Sequence, residues 1–386
     1  MSVRSALLAL LAVGLAACDD RADTVGASLS VAEAMSGDTT GYARADAPRA
    51  FAFPADHGPH PGFKTEWWYV TGNLESAAGE RFGIQFTIFD SALRPPAETQ
   101  ARASGWGAGA LFMAHVAVGD AARGTFAHSQ RFSRAAAGLA GATPERVWLG
   151  PVEMTRAPGD ALGGAAPWRI TGDADGYAYD LTMTPLKPVV LQGDAGLSQK
   201  GEGLGNASYY YAQTRMAARG TITRPGGERV AVEGLTWLDR EWSTSALSAG
   251  QVGWDWFALH LDDGRDLMVY QLRRADGTAD PYSKASVIGP DGTKRGLSVD
   301  DYALTPLGTW SSADGAEYPT RWRVEIPSEG LDLTVTAVLD ASELDDASVR
   351  YWEGAMDVEG SATGRGFLEM TGYADAVGAS ARPMPE

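Results

Sequence analysis

The sequence predicts an all-β protein: two tandem β-barrel domains behind a signal peptide and a flexible tether. Three observations carry this expectation. Short runs rich in aromatic and branched residues recur along the chain, Gly/Asp turn signals separate them, and part of the pattern in the first half returns in the second.

The N-terminus reads as an export signal. Arg4 supplies a positive charge, residues 6–17 form a short apolar stretch, and Leu15-Ala16-Ala17-Cys18 ends it. Twelve apolar residues are too few to span a bilayer as a helix but suit a signal-peptide core. Small residues directly before a cysteine resemble the lipobox of bacterial lipoproteins, in which the cysteine is lipidated. Cys18 is the single cysteine of the chain, so no internal disulfide competes for it. Residues 1–17 are therefore expected to be removed, leaving a lipoprotein anchored through Cys18. Asp19 resembles an inner-membrane retention signal, which places the anchor on the periplasmic face of that membrane. Residues 18–48, polar and rich in Ala, Gly and Asp, form the tether.

The remainder, roughly 340 residues, suits two domains, set at 49–205 and 206–380. Strand-like runs cover 66–71, 82–89, 112–118, 177–184, 236–242, 254–261, 267–272, 322–326, 331–338 and 367–373. Turn signals fall at Gly72-Asn73, Asp173-Ala174-Asp175-Gly176, Asp263-Gly264, Asp276-Gly277 and Asp291-Gly292. The repeat pairs Trp168-Arg169-Ile170 and Leu181-Thr182-Met183-Thr184 with Trp322-Arg323-Val324 and Leu333-Thr334-Val335-Thr336. It also pairs Tyr211, Met216 and Gly220 with Tyr351, Met356 and Gly360, and Glu66-Trp67 with Glu241-Trp242.

Composition narrows function. The formal charge is −17 at pH 7, and without residues 1–17, which carry only Arg4, it is −18. So acidic a surface argues against nucleic acid and against electrostatic docking to anionic lipid. No Gly-x-Ser-x-Gly occurs, and Gly201-Glu202-Gly203-Leu204-Gly205 lacks the strand and helix that a phosphate loop needs. His57 and His60, followed by Glu66, match no strong zinc spacing, so no metal site is expected.

The distinctive feature is carboxylates interleaved with aromatics. Alternation puts Glu66 and Trp68 on one strand face, with Trp67 and Tyr69 on the other. It groups Trp237, Asp239 and Glu241 against Arg240 and Trp242, and Trp254, Trp256 and His260 against Asp255. Tyr209, Tyr211, Gln213 and Arg215 align likewise. Carboxylates among tryptophans fill a dry core poorly, and buried ones require partners. Either they form an ion-pair plug with Arg240 and Arg215, or they line a pocket for an apolar ligand. In the pocket reading Glu66, Trp68, Trp237, Asp239 and Glu241 point together into a hollow interior.

These blocks carry a family resemblance. His57-Gly58-Pro59-His60-Pro61, Thr65-Glu66-Trp67-Trp68-Tyr69-Val70-Thr71-Gly72, Trp237-Leu238-Asp239-Arg240-Glu241-Trp242, Gly253-Trp254-Asp255-Trp256-Phe257, Tyr351-Trp352-Glu353-Gly354 and Thr371-Gly372-Tyr373 resemble the AttH-like, carotenoid 1,2-hydratase-related family. Some members of that family bear the name predicted secreted hydrolase. The resemblance runs in order from about residue 50 to 375. It implies tandem lipocalin-like (calycin-type) barrels and, for the hydratases, addition of water to an unactivated C=C bond without a cofactor. That chemistry needs a carboxylic acid kept neutral in an apolar site, with aromatic faces beside the carbocation. The family pattern implies a histidine where this chain has Arg240, and an acid near Tyr270, where Gln271 and Leu272 stand. Arginine, with a pKa above about 12, relays no proton.

Two functional readings follow. The first is an exported, lipid-anchored protein binding an apolar or amphipathic small molecule, such as a lipid, terpenoid or carotenoid. The alternative is a carotenoid 1,2-hydratase-like or hydrolase-like enzyme with Glu66, Asp239 and Glu241 as acid–base groups. In either, Trp67, Trp68, Tyr69, Tyr209, Tyr211, Arg215, Trp237, Arg240, Trp242, Trp254, Asp255 and Trp256 are the expected ligand-binding residues.

Overall fold

The structure, a computed structural model, describes residues 38–99, 109–158, 166–245, 247–345 and 347–374. The signal segment, Cys18, Asp19 and residues 375–380 lie outside the described residues, as does the tether up to residue 37.

Among the described residues the chain is all-β. It forms antiparallel sheets of 13 and 10 strands, with one α-helical turn at Pro96–Thr99 and three 3-10 turns. In the first sheet the strand Thr65–Ser76 pairs with Arg81–Ala92 on one side and with Arg229–Ser243 on the other. In the second, Gln251–Leu261 pairs in the same way with Asp266–Arg274 and Gly364–Thr371. Each sheet is thus a meander whose first and last strands meet. Its free edges are strands consecutive in the chain: Thr125–Arg134 and Ala140–Thr143 in one, Lys294–Ser298 and Ala303–Ser311 in the other. The seam of the first is narrowed where Ser129 Oγ donates to the Asp173 carbonyl at 2.7 Å and Arg131 pairs with the Asp173 carboxylate. The result is two tandem lipocalin-like barrels, each packed on its own apolar core.

Two of the three sequence repeats occupy equivalent places in the two sheets. Trp168–Ala174 and Tyr177–Pro185 correspond to Glu317–Ile326 and Leu331–Ala337, and Ala207–Thr223 corresponds to Tyr351–Gly360. Glu66-Trp67 and Glu241-Trp242 are instead antiparallel neighbours in one sheet, Glu66 opposite Trp242 and Trp67 opposite Glu241. Ala207–Thr223 and Arg229–Ser243, beyond the expected division at 205/206, hydrogen-bond within the first sheet. A meander leaves its first strand with an open edge, and these two strands close it. The change of sheet falls between Ser243 and Gln251.

Of the expected turns, Asp175-Gly176 joins adjacent strands with φ of 44° and 84°, as a tight hairpin requires. Gly72-Asn73 lies inside a strand, and Asn73 Nδ2 donates to the Gly366 carbonyl of the second half at 2.6 Å. The halves pack closely: a Cβ on Gly83 would sit 2.9 Å from that of Ala355. Buried Asp266 ties them further, 2.7 Å from both Lys187 and Arg215.

Candidate active site between the two barrels

The strand Arg229–Ser243 has two buried faces with different chemistry. Its register against Thr65–Ser76 sets Trp68 opposite Arg240 and Tyr69 opposite Asp239. Cross-strand partners share a face. Glu66, Trp68, Arg240 and Trp242 therefore point into the end of the first barrel, while Trp67, Tyr69, Asp239 and Glu241 point outward to the second half. The single hollow interior expected for Glu66, Trp68, Trp237, Asp239 and Glu241 does not form. Alternation orders the residues of each strand, but only the register decides which faces coincide.

The inner face is a plug. Arg240 pairs with Glu66, donates to the Gly58 carbonyl at 2.6 Å, and lies 3.6 Å over the Trp68 ring. The backbone N–H of His60 donates to Glu66 at 2.9 Å, and the His60 ring stacks on Trp242 at 3.6 Å. Burial raises the Glu66 pKa, but Arg240 and His60 outweigh it and hold the group below its ordinary value. Across the ladder, burial and the charge of Glu66 push Asp90 up to about 8. The pair Glu66–Asp90 so presents one negative charge to one guanidinium. Tyr209 and Tyr211 pack beside Trp242 in this plug, their hydroxyls on the Ala47 carbonyl at 2.9 Å and His57 Nδ1 at 2.6 Å.

The outer face opens on a cavity of about 220 Å³ between the barrels. Trp67, Phe89 and Met113 of the first half and Trp254, Trp256 and Leu272 of the second form its apolar walls. Four carboxyl groups reach it: Asp239 and Glu241 from the first sheet, Glu353 and Glu369 from adjacent strands of the second. Asp239 accepts hydrogen bonds from Tyr210 Oη and Trp237 Nε1, each at 2.7 Å. Glu241 accepts from Ser208 and lies 3.1 Å from the Lys200 ammonium, which sits 4.1 Å over the Tyr270 ring. Glu353 accepts from Tyr69 Oη at 2.8 Å, and its other oxygen is buried with no hydrogen-bond partner among the described residues. Trp254 Nε1 donates to Glu369 at 2.6 Å.

Burial decides the protonation of most of these groups. It pushes Asp239 up to about 8, against the hydrogen bonds of Tyr210 and Trp237. It pushes Glu369 up to about 7, against those of Trp254 and Tyr69. Glu353, buried and then repelled by Glu369 directly across the ladder, lies well above the usual carboxylate range. The cavity thus holds two carboxylic acids that are neutral at pH 7, Asp239 and Glu353, and Glu369 near its midpoint, beside Glu241, whose ion-pair partner is a lysine.

The remaining expected residues fall elsewhere. Trp237 supports Asp239 from behind the cavity wall. Asp255 faces away, 3.3 Å from Arg273 and accepting from Tyr373 Oη at 2.9 Å. A bulge between Gln213 and Met216 breaks the alternation, and Arg215 turns from the Tyr211 face to Asp266. Sequence reasoning missed Tyr210, Lys200, Glu353 and Glu369. Tyr210 was legible as the alternate of Tyr209 and Tyr211, and Glu353 stood in the Tyr351-Trp352-Glu353-Gly354 block. Lys200 and Glu369 carried no signal of their own. Among the described residues no group of three or more His, Cys, Asp or Glu is placed to hold a metal ion.

The family model described as AttH-like matches residues 44–373. The chain belongs to the AttH-like family. The crystal structure of an AttH protein from Nitrosomonas europaea is 35% identical, with a TM-score of 0.75, over 85% of this chain and 99% of that one. Kievitone hydratase from Nectria haematococca shares the fold at 18% identity, with a TM-score of 0.62, over 86% of this chain and 96% of that one. In sequence, this AttH-like chain is 24% identical to kievitone hydratase of Fusarium solani subsp. phaseoli over 188 residues. That match covers 46% of this chain and 49% of the relative, so it spans about half the length of that curated protein.

Proposed function

We propose that the protein is a hydratase-type enzyme that adds water to a C=C bond of an apolar or amphipathic small molecule held between the barrels. The observation that carries this reading is Asp239, a carboxyl held neutral to about pH 8 in an apolar cavity, two residues from Glu241 on the same face. Side chains two apart on a strand lie roughly 7 Å from one another. That spacing accommodates a C=C bond and a water between acid and base. The Asp239 carboxyl gives its proton to one alkene carbon, leaving a carbocation on the other. The aromatic faces of Trp67, Tyr69, Trp254 and Trp256 flank that cation. Water adds to it, Glu241 takes the released proton, and exchange with solvent restores Asp239. Lys200 positions Glu241. On the opposite wall Glu353 is held protonated, while Glu369, near 7, is divided between its two forms at neutral pH. Glu66 and Arg240 take no part, because they face the plug. The hydratase relatives support the reaction class, and the anchor at Cys18 with a periplasmic location belongs to the same proposal.

The test is incubation of the purified protein with branched alkenes, kievitone and an acyclic carotenoid among them, in ¹⁸O-labelled water. Alcohol carrying one ¹⁸O is expected, with its rate reduced at least ~100-fold in Asp239→Asn. A ligand retained stoichiometrically but chemically unchanged would favour the carrier reading. Full turnover in Asp239→Asn would remove the acid role.

A further inference from the structure

The outer lining of the cavity indicates what it opens onto. Thr65, Ser91, Lys200, Leu247 and Val349 line it where the side chains are only half-buried, whereas Tyr69, Asp239 and Glu353 line its buried end. Exposed apolar side chains stand just beyond this mouth. Leu93, 52% exposed, follows Ser91 by two residues, and Phe132, 50% exposed, is the cross-strand partner of the cavity residue Met113. Leu204, 80% exposed, tips the turn after Lys200, and Val252, 37% exposed, follows Leu247 in the second half.

These segments form one rim. Gln251 Nε2 donates to the Lys200 carbonyl at 2.9 Å, and Asn206 Nδ2 to Ser248 Oγ at 2.6 Å. The start of the described chain runs across the same rim. Tyr42 Oη donates to the Ala92 carbonyl at 3.2 Å beside Leu93, and Arg44 Nη2 to the Gly205 carbonyl at 3.3 Å beside Leu204. The N-terminal segment that contains Cys18 therefore joins the folded body at the cavity's mouth. The 19 residues between Cys18 and Asp38 reach at most roughly 65 Å. That length keeps the body near a membrane without fixing its orientation, and the apolar rim supplies the orientation.

We propose that the mouth of the cavity rests on a phospholipid bilayer, with Leu93, Phe132, Leu204 and Val252 at headgroup depth. An apolar ligand then passes from the membrane into the cavity without crossing water. A protein docked on this rim would close the cavity, whereas a bilayer is a reservoir of apolar molecules. The formal charge of −17 leaves apolar insertion, rather than attraction to anionic lipid, as the driving contact. The proposal rests on the cavity being the ligand site.

The experiment uses the full chain with Cys18→Ser, so that a single introduced cysteine carries an environment-sensitive fluorophore. Labels replace Leu93, Leu204 or, on the second barrel away from the mouth, Leu307. The proteins are mixed with phosphatidylcholine vesicles containing brominated lipid. Labels at 93 and 204 are expected to shift to the blue and to be quenched several-fold more than the label at 307. Equal quenching at all three positions, or none at 93 and 204, would overturn the proposal. The labels report contact and not turnover, so their failure leaves the role of Asp239 untouched, and failure of the hydratase reading leaves the labelling result standing.

Discussion

The two faces of the strand Arg229–Ser243 use the same residue types to opposite ends. On the inner face Glu66 meets the Arg240 guanidinium and accepts from the His60 backbone N–H, with the His60 ring 3.2 Å away, and it keeps its charge. On the outer face Asp239 accepts from the neutral donors Tyr210 and Trp237, and burial outweighs these bonds and the charge of Lys200, so it keeps its proton. A buried carboxyl with a cation beside it is a structural ion, and one without a cation is a weak acid available to a ligand. One residue of register separates the plug from the proposed chemistry.

The largest expected effect breaks the plug. Arg240→Ala leaves Glu66 buried without its cation and should cost about 3–5 kcal/mol in denaturant unfolding. Asp239→Asn substitutes one neutral group for another and, below pH 3.8, where Asp239 is protonated folded or unfolded, should change stability by under about 1 kcal/mol, while abolishing hydration. A catalytic loss in Arg240→Ala at undiminished stability would reverse the assignment of the two faces.

The faces should also separate by pH. Asp239 has a folded pKa near 8 against an ordinary 3.8, so the folded state binds the extra proton. Its contribution is fully present below pH 3.8 and is lost as pH rises toward 8. Glu66 is depressed below 4.5, so its contribution is present above that value and is lost as pH falls through the folded pKa. Wild type and Asp239→Asn should therefore be about equally stable in acid, and wild type should fall progressively below the variant as pH rises toward 8. The difference between wild type and Glu66→Gln should shrink toward acid. Parallel curves for the two variants would erase the distinction.

The smallest effect sharpens it. The Tyr210 hydrogen bond lowers the Asp239 pKa, so Tyr210→Phe should move the alkaline limb of the rate profile to higher pH. The rate at neutral pH should change by less than about tenfold. An unmoved limb would mean that another group sets it.

Much of this was legible in strand alternation. The grouping of Trp237, Asp239 and Glu241 against Arg240 and Trp242, and of Trp254 and Trp256 against Asp255, needs only a period of two. What alternation could not supply was the pairing between strands, and Glu66 was placed with Asp239 for that reason. The bulge that redirects Arg215 is one residue of irregularity with no compositional mark. Glu353 and Glu369 enter the site because the second sheet packs across the outer face of the first, a long-range event. The cavity therefore lies between the barrels, where the sequence suggested a lumen within one.

Infrared difference spectroscopy in the carboxyl stretching region tests the central claim most directly. At pH 7 wild type should show a protonated-carboxyl band that Asp239→Asn removes and that titrates away near pH 8. An unchanged spectrum in Asp239→Asn, or loss of its band near pH 4, would mean that Asp239 is an ordinary carboxylate and that the proposed acid does not exist.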